Sequence, residues 1–239
     1  MICTGMTLSF CGQPPFSEMF PGIKTYTVTL LGQFLWPLRR ELLMSIGIIR
    51  FYSFNFLKII SGAGAASKRN LEYILNQKEK GQAVTIVIGG LNEAMLPRPN
   101  QYNLKLKDRK GFVKLALEQG ADLVPMFHFG ENNTYRPVVD GIQELKLRNM
   151  QNRIKTRCGF MVPLLIGRSM LGLPWGGLIP HKTILTTVIG APINVEKTEN
   201  PTQEQIDTLH SIYCEKLQEL FETHKSDCDV PQDHKIVFY

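Results

Sequence analysis

RKGFVKLALEQGADLVPMFHFGENNTY, residues 109–135, sets a cationic helix start, a buried strand and a polar acidic loop one after another without a spacer. The pattern predicts a helix capped by Asp108, with Arg109 and Lys110 in its first turn, where free backbone N–H groups already favour an anion. Two adjacent cations are disfavoured at that end of a helix by the macrodipole. Either they await a phosphate-bearing ligand, or they are a solvated first turn facing water.

Residues 121–129 then read as a short apolar strand ending on Gly130, Glu131 and Asn132, and in open α/β sheets the carboxyl end of a strand is where ligands bind. The strand VTIVI at 84–88 makes the same kind of delivery, ending in Gly89 and Gly90 with Glu93 a few residues on. Parallel strands would bring Glu93 and Glu131 to one edge, although a loop glutamate is more commonly a cap or a surface charge.

Along the rest of the chain, strands and helices alternate with short loops. Residues 71–77 read as a helix end before a turn at 78–81, 143–157 as a polar basic helix, 164–180 as an irregular apolar loop rich in Gly, Pro and Leu, and 184–189 as a strand. The last helix opens at Asn200, Pro201 and Thr202, with Gln205 placed to complete a capping box, and Ile206, Leu209, Tyr213, Leu217 and Leu220 form one apolar stripe. Alternating strand–helix units predict an α/β fold, a mostly parallel sheet flanked by helices, in a single domain over 1–239.

Composition limits the function classes. With 44% hydrophobic and 20% charged residues, the 239-residue chain can bury one good core, or a core plus a membrane-docking segment. The net charge of +6 and a pI near 9.1 suit anionic lipid, polyphosphate or nucleic acid. No zinc-finger spacing or aromatic-rich RNA-binding motif is present, which ranks nucleic acid last. The basic residues are spread along the chain, as on an ordinary solvated surface. Five cysteines at 3, 11, 158, 214 and 228, without CxxC spacing, argue against a disulfide scaffold and a structural zinc and for a reducing, cytosol-facing environment. Cys214, inside the last helix, reads as a small buried hydrophobe.

No stretch has the roughly 20 uncharged apolar residues of a transmembrane helix, and no secretory signal opens the sequence. Residues 42–60 nevertheless carry only Arg50 and Lys58 as charges among Leu, Ile, Phe and Tyr. Long cationic side chains snorkel to a headgroup layer, so the segment is either interfacial or an internal part of the core.

The motifs also carry a resemblance. FPGI at 20–23, VIGGLNEA at 87–94, RKGFVKLA at 109–116, LVPMFHFGEN at 123–132, TTVIGAPI at 186–193 and the Pro201-led final helix resemble, in order and along nearly the whole chain, the acyl-CoA:acylglycerol and wax-alcohol acyltransferases of the diacylglycerol acyltransferase 2 type. That family carries a HisProHisGly element whose histidine is taken as the catalytic base. No such tetrapeptide occurs in these 239 residues. MICTGMTLSF at 1–10 resembles the family stretch immediately downstream of the element, so the chain is expected to begin just after it, as an N-terminally truncated relative lacking that anchor region. Residues 50–61 look like an insertion, and two further family patterns are altered to Gly167, Arg168, Ser169 and to Pro180, His181.

The resemblance implies a glycerolipid-acyltransferase-like fold with a membrane-interfacial segment at the cytosolic face of the endoplasmic reticulum, and a possible homo-oligomer. It implies transfer of a fatty acyl group from acyl-CoA to an acylglycerol or long-chain alcohol in neutral-lipid synthesis. Acyl-CoA would be a co-substrate, with no permanently bound cofactor and no metal. Glu93, Glu131 and Asn132 would line the catalytic site, Asn132 donating to the oxyanion, while Arg109, Lys110 and Gly111 would hold the coenzyme A end. Of the remaining histidines, only His128 adjoins the polar cluster as a substitute base. His210 and His224, on the last helix, are expected to be structural. Two other readings stay open: a catalytically silent relative that binds membrane or a partner protein, and a soluble phosphate-binding α/β protein.

Overall fold

The computed structural model describes residues 1–4, 20–28, 67–77, 81–89, 101–137, 149, 153, 165–169 and 181–239. Its strands are β1 (Ile2–Thr4), β2 (Lys24–Val28), β3 (Gln82–Ile86), β4 (Tyr102–Leu104), β5 (Leu123–Phe129), β6 (Arg136–Pro137), β7 (Leu165–Ile166), β8 (Thr186–Ile189) and β9 (Ile236–Phe238). The helices are α1 (Lys68–Leu75), α2 (Gly111–Gln119) and α3 (Gln203–His224). The largest sheet has the order β2-β3-β1-β5-β8. The chain is thus mixed α/β and divides into two compact units.

The first unit comprises Met1–Ile88, Arg109–Phe127 and Ile189–Leu220. Strand β1 is central: Ile2 registers with Val84 of β3 on one side and with Leu123 of β5 on the other, both parallel, and β2 pairs parallel with the far edge of β3. Nothing in the sequence singles out residues 2–4 as a strand. Ile2 is fully enclosed, as are its register partners Val84 and Leu123, and pairing with β3 on one side and β5 on the other makes the strand. The strand expected at 84–88 runs Gln82–Ile86, two residues earlier.

Helix α2 buries Phe112, Val113, Leu115, Ala116 and Leu117. It stops at Gly120, whose φ of 61° is left-handed; a Cβ there would come within 2.9 Å of the Lys197 Cβ. Helix α1 is fastened to it by Lys68–Glu118 at 2.7 Å and by the Asn76 amide donating to Gln119 Oε1 at 2.6 Å. At the start of α3 the expected capping box is complete: Thr202 N–H donates to Gln205 Oε1 at 2.9 Å and Gln205 N–H to Thr202 Oγ1 at 3.3 Å. Ile206, Leu209, Tyr213 and Leu217 are buried as expected, but the next core position is Phe221, with Leu220 only half-buried. Phe221 is buried through its own partners, stacking on Phe129 at 5.5 Å and lying 4.9 Å from the ring of Tyr102.

The second unit comprises Gly89–Asp108, His128–Val188 and Phe221–Tyr239. Here β4 pairs parallel with β9, and β6 pairs antiparallel with β7. Tyr102, Leu106, Phe129, Phe221, Val230 and Ile236 form its buried apolar set.

Among the described residues, no helix is long and apolar enough to cross a membrane. The segment 42–60, Glu93, almost all of the expected helix at 143–157 and most of the apolar loop at 164–180 lie outside the described residues.

Candidate active site

Strand β5 is buried at every position, and it hands the chain to a turn at Gly130. Gly130 has φ 85°, and a Cβ built there would collide with the carbonyl oxygen of Ile184. Only glycine meets both conditions without strain. The turn continues as a single 3-10 turn, Glu131–Asn133. Asn133 N–H donates to the Gly130 carbonyl at 3.1 Å, while the Glu131 carbonyl accepts from both Thr134 N–H at 3.0 Å and Thr134 Oγ1 at 2.6 Å. The Thr134 carbonyl accepts from His181 N–H at 2.8 Å.

This scaffold holds Glu131 at 8% exposure. A carboxylate is rarely so enclosed, because desolvation disfavours its charge unless neighbouring groups compensate. Asn132 is half-buried, and its Nδ2 donates to the Gln101 carbonyl at 2.7 Å. His128 is buried, with Nδ1 at 2.8 Å from Thr187 Oγ1, and burial lowers its pKa to about 4. It is therefore neutral at pH 7.

In the first unit, the helix start at 109–111 departs from expectation. Asp108 is exposed and is not the cap; Lys110 occupies that position, and no side chain caps the helix. The first turn also lacks an acidic residue, leaving its N–H groups to solvent or a ligand. Lys110 Nζ lies 2.8 Å from Asp207 Oδ1 of α3, with both side chains partly exposed (39% and 46%). Hydrogen bonds from Lys110 and then from Gln203 hold the Asp207 carboxyl below its usual range. Arg109 is exposed and makes no ion pair among the described residues. Gly111 is exposed, and a Cβ added to it would meet nothing within 4 Å.

The expected residues thus form two groups. His128, Glu131 and Asn132 share the second unit; Arg109, Lys110 and Gly111 belong to the first. The immediate partners Thr187, Asp207 and Gln101 are invisible to a reading of the sequence because they lie 59, 97 and 31 residues away. No local pattern marks such a pair. Among the described residues no group of three or more His, Cys, Asp or Glu is arranged to hold a metal ion.

These elements define a mixed α/β protein that presents a buried carboxylate and an amide on a glycine turn at the carboxyl end of a strand. The chain matches the family described as Diacylglycerol acyltransferase over residues 1–239, and it belongs to that family. It is 37% identical over 239 residues to 2-acylglycerol O-acyltransferase 1 of Bos taurus, covering all of this chain and 66% of that protein. It is 38% identical over 217 residues to Diacylglycerol O-acyltransferase 2 of Homo sapiens, covering 90% of this chain and 52% of that one. Against 2-acylglycerol O-acyltransferase 3 of Homo sapiens it is 34% identical over 243 residues, covering all of this chain and 65% of that protein. The chain therefore spans about half to two-thirds of the lengths of these relatives. No solved structure matches it.

Proposed function

We propose that the chain is the acyltransferase domain of an enzyme that moves a fatty acyl group from acyl-CoA to an acylglycerol hydroxyl in neutral-lipid synthesis. The observation that carries this reading is the enclosed Glu131 at the Gly130 turn, inside the LVPMFHFGEN segment of a chain that belongs to the family along its whole length. The names of the relatives, 2-acylglycerol and diacylglycerol O-acyltransferases, supply the acceptor class.

In the reaction, the acceptor oxygen bonds to the thioester carbon as its proton passes to a general base. The tetrahedral oxyanion then collapses, the C–S bond breaks, and the coenzyme A thiolate leaves and is protonated. By the family pattern the base is the histidine of HisProHisGly. Glu131, together with Glu93, orients that base and the acceptor. Asn132 has two amide hydrogens; one is held by the Gln101 carbonyl and the other is available to the oxyanion. Arg109 and Lys110, with the uncapped N–H groups near Gly111, take the phosphates of coenzyme A.

His128 fits the base poorly, since a group with a pKa near 4 has little proton affinity to offer at neutral pH. We give it the role of fixing the end of β5 through Thr187. The same reading puts the protein at the cytosolic face of the endoplasmic reticulum, docked through 42–60, as a glycerolipid-acyltransferase-like, mostly parallel sheet flanked by helices, with homo-oligomerisation open to it.

The test is transfer from labelled acyl-CoA to monoacylglycerol, diacylglycerol and a long-chain alcohol, side by side, by membranes carrying the chain joined to a HisProHisGly-bearing segment. Labelled acylglycerol is the expected product. Labelled wax ester alone would move the acceptor class, and no product with any acceptor would overturn the reading.

A further inference from the structure

The segment after α3 folds back in a manner that the acyl-transfer scheme does not use. Lys225 is buried, and its ammonium donates to the Gln232 carbonyl at 2.8 Å and the His234 carbonyl at 3.3 Å while facing Glu222 Oε2 at 2.6 Å. Three acceptors saturate its three donors. Val230 N–H closes the same loop onto the Lys225 carbonyl at 3.0 Å. The chain beyond then adds β9 to β4, pairing Tyr102 with Ile236, Asn103 with Val237 and Leu104 with Phe238. Tyr239 N–H donates to the Leu104 carbonyl at 3.1 Å, and Lys107 N–H to the Tyr239 carbonyl at 3.3 Å.

Strand β4 is joined to the Glu131 turn in two independent ways. Gln101, the residue before β4, receives the Asn132 amide. Tyr102, its first residue, lies 4.9 Å from the ring of Phe221 and 6.3 Å from that of His234, and Phe221 stacks at 5.5 Å and 19° on Phe129, which directly precedes Gly130. A two-stranded pair this short is not stable alone and must be held by its surroundings.

We infer that the segment from Lys225 to Tyr239 is a positioning element for the Glu131–Asn132 turn, with Lys225 as the residue that locks it. The catalytic part of this inference rests on the acyltransferase reading; the mechanical part does not. Removing the lock should loosen β9, then β4, and so release Asn132 and the Phe129 end of β5. Arg109 and Lys110 belong to the other unit, so affinity for acyl-CoA should be spared.

The experiment compares the full chain, joined to a HisProHisGly-bearing segment, with the same protein carrying Lys225→Met, the graded pair Ile236→Val and Ile236→Ala, or ending at Lys235. Amide hydrogen exchange at Asn133 and Thr134 is read against the amides of α2 as an internal reference for folding. The expected result is exchange about tenfold faster at Asn133 and Thr134, with α2 unchanged. In membranes, kcat should fall about tenfold while KM for acyl-CoA stays within about twofold. Unchanged exchange at the turn in any variant that keeps α2 protected would overturn the inference, and Ile236→Val is mild enough to keep it. Faster exchange at the turn with no transfer from any variant, the full chain included, would retain the positioning role and reject the acyltransferase reading instead. Loss of acyl-CoA affinity with unaltered kcat would count against the segment as a positioning element.

Discussion

His128 Nδ1 lies 2.8 Å from Thr187 Oγ1, joining two strand ends that are 59 residues apart in sequence. The ring is buried and its pKa falls to about 4 from an ordinary 6.5. Because the folded-state value is depressed, the unfolded chain binds the extra proton between those two pH values. The associated stability is complete above about pH 6.5 and is lost as pH falls through 4. The expected loss between about pH 7 and pH 4.5 is about 2–3 kcal/mol. Urea unfolding at a series of pH values checks it. His128→Asn should flatten this limb of the profile, and an unaltered slope would show that the acid sensitivity arises elsewhere.

The pairing of Lys110 with Asp207 predicts competition. A phosphate must draw the Lys110 ammonium from a carboxylate that already holds it at 2.8 Å. Asp207→Asn should therefore tighten binding of long-chain acyl-CoA, and the double change Arg109→Ala, Lys110→Ala should weaken it by about tenfold or more. Titration calorimetry at two salt concentrations measures both, with smaller differences at high salt. Equal affinity in the double variant would remove these residues from the site.

Gly130→Ala combines a left-handed φ of 85° with a side chain that meets the Ile184 carbonyl. The conformation alone costs about 1–2 kcal/mol, and the displaced backbone adds to it. Thermal unfolding should show destabilisation of at least about 2 kcal/mol, with Gly111→Ala, where the space is open, as the neutral comparison. Equal melting of the two variants would refute the geometry of the turn.

Thr202→Ala removes one half of the reciprocal cap on α3. The expected loss is about 1 kcal/mol, read from chemical denaturation. Gln205→Ala should give a smaller loss, since the Thr202 hydroxyl still has the Gln205 N–H to accept from.

The parts legible in the sequence are those with local chemistry. The α3 cap and stripe follow from the spacing of Thr202, Gln205, Ile206 and Tyr213, and β5 with its glycine turn follows from an apolar run ending on GEN. Two local readings fail for physical reasons. Asp108 is the expected cap of α2, but the chain turns later and Lys110 stands at the helix start. Residues 2–4 carry no period that marks a strand, and they become central only because β3 and β5 pair with them on either side. The partners of the site, Thr187, Asp207 and Gln101, are fixed by folding across long separations, which a single sequence does not encode at any one position. Glu93, the second carboxylate expected beside Glu131, lies outside the described residues.

In the proposed reaction Glu131 orients the base and the acceptor. The direct measurement is incorporation of labelled acyl groups from acyl-CoA into acylglycerol by membranes carrying the chain joined to a HisProHisGly-bearing segment, compared with the same protein bearing Glu131→Gln. That substitution keeps the size of the side chain and replaces its carboxyl group with an amide. Product formation should fall about a hundredfold or more, with acyl-CoA binding unchanged. Transfer at an undiminished rate by the Glu131→Gln protein would remove Glu131 from the reaction.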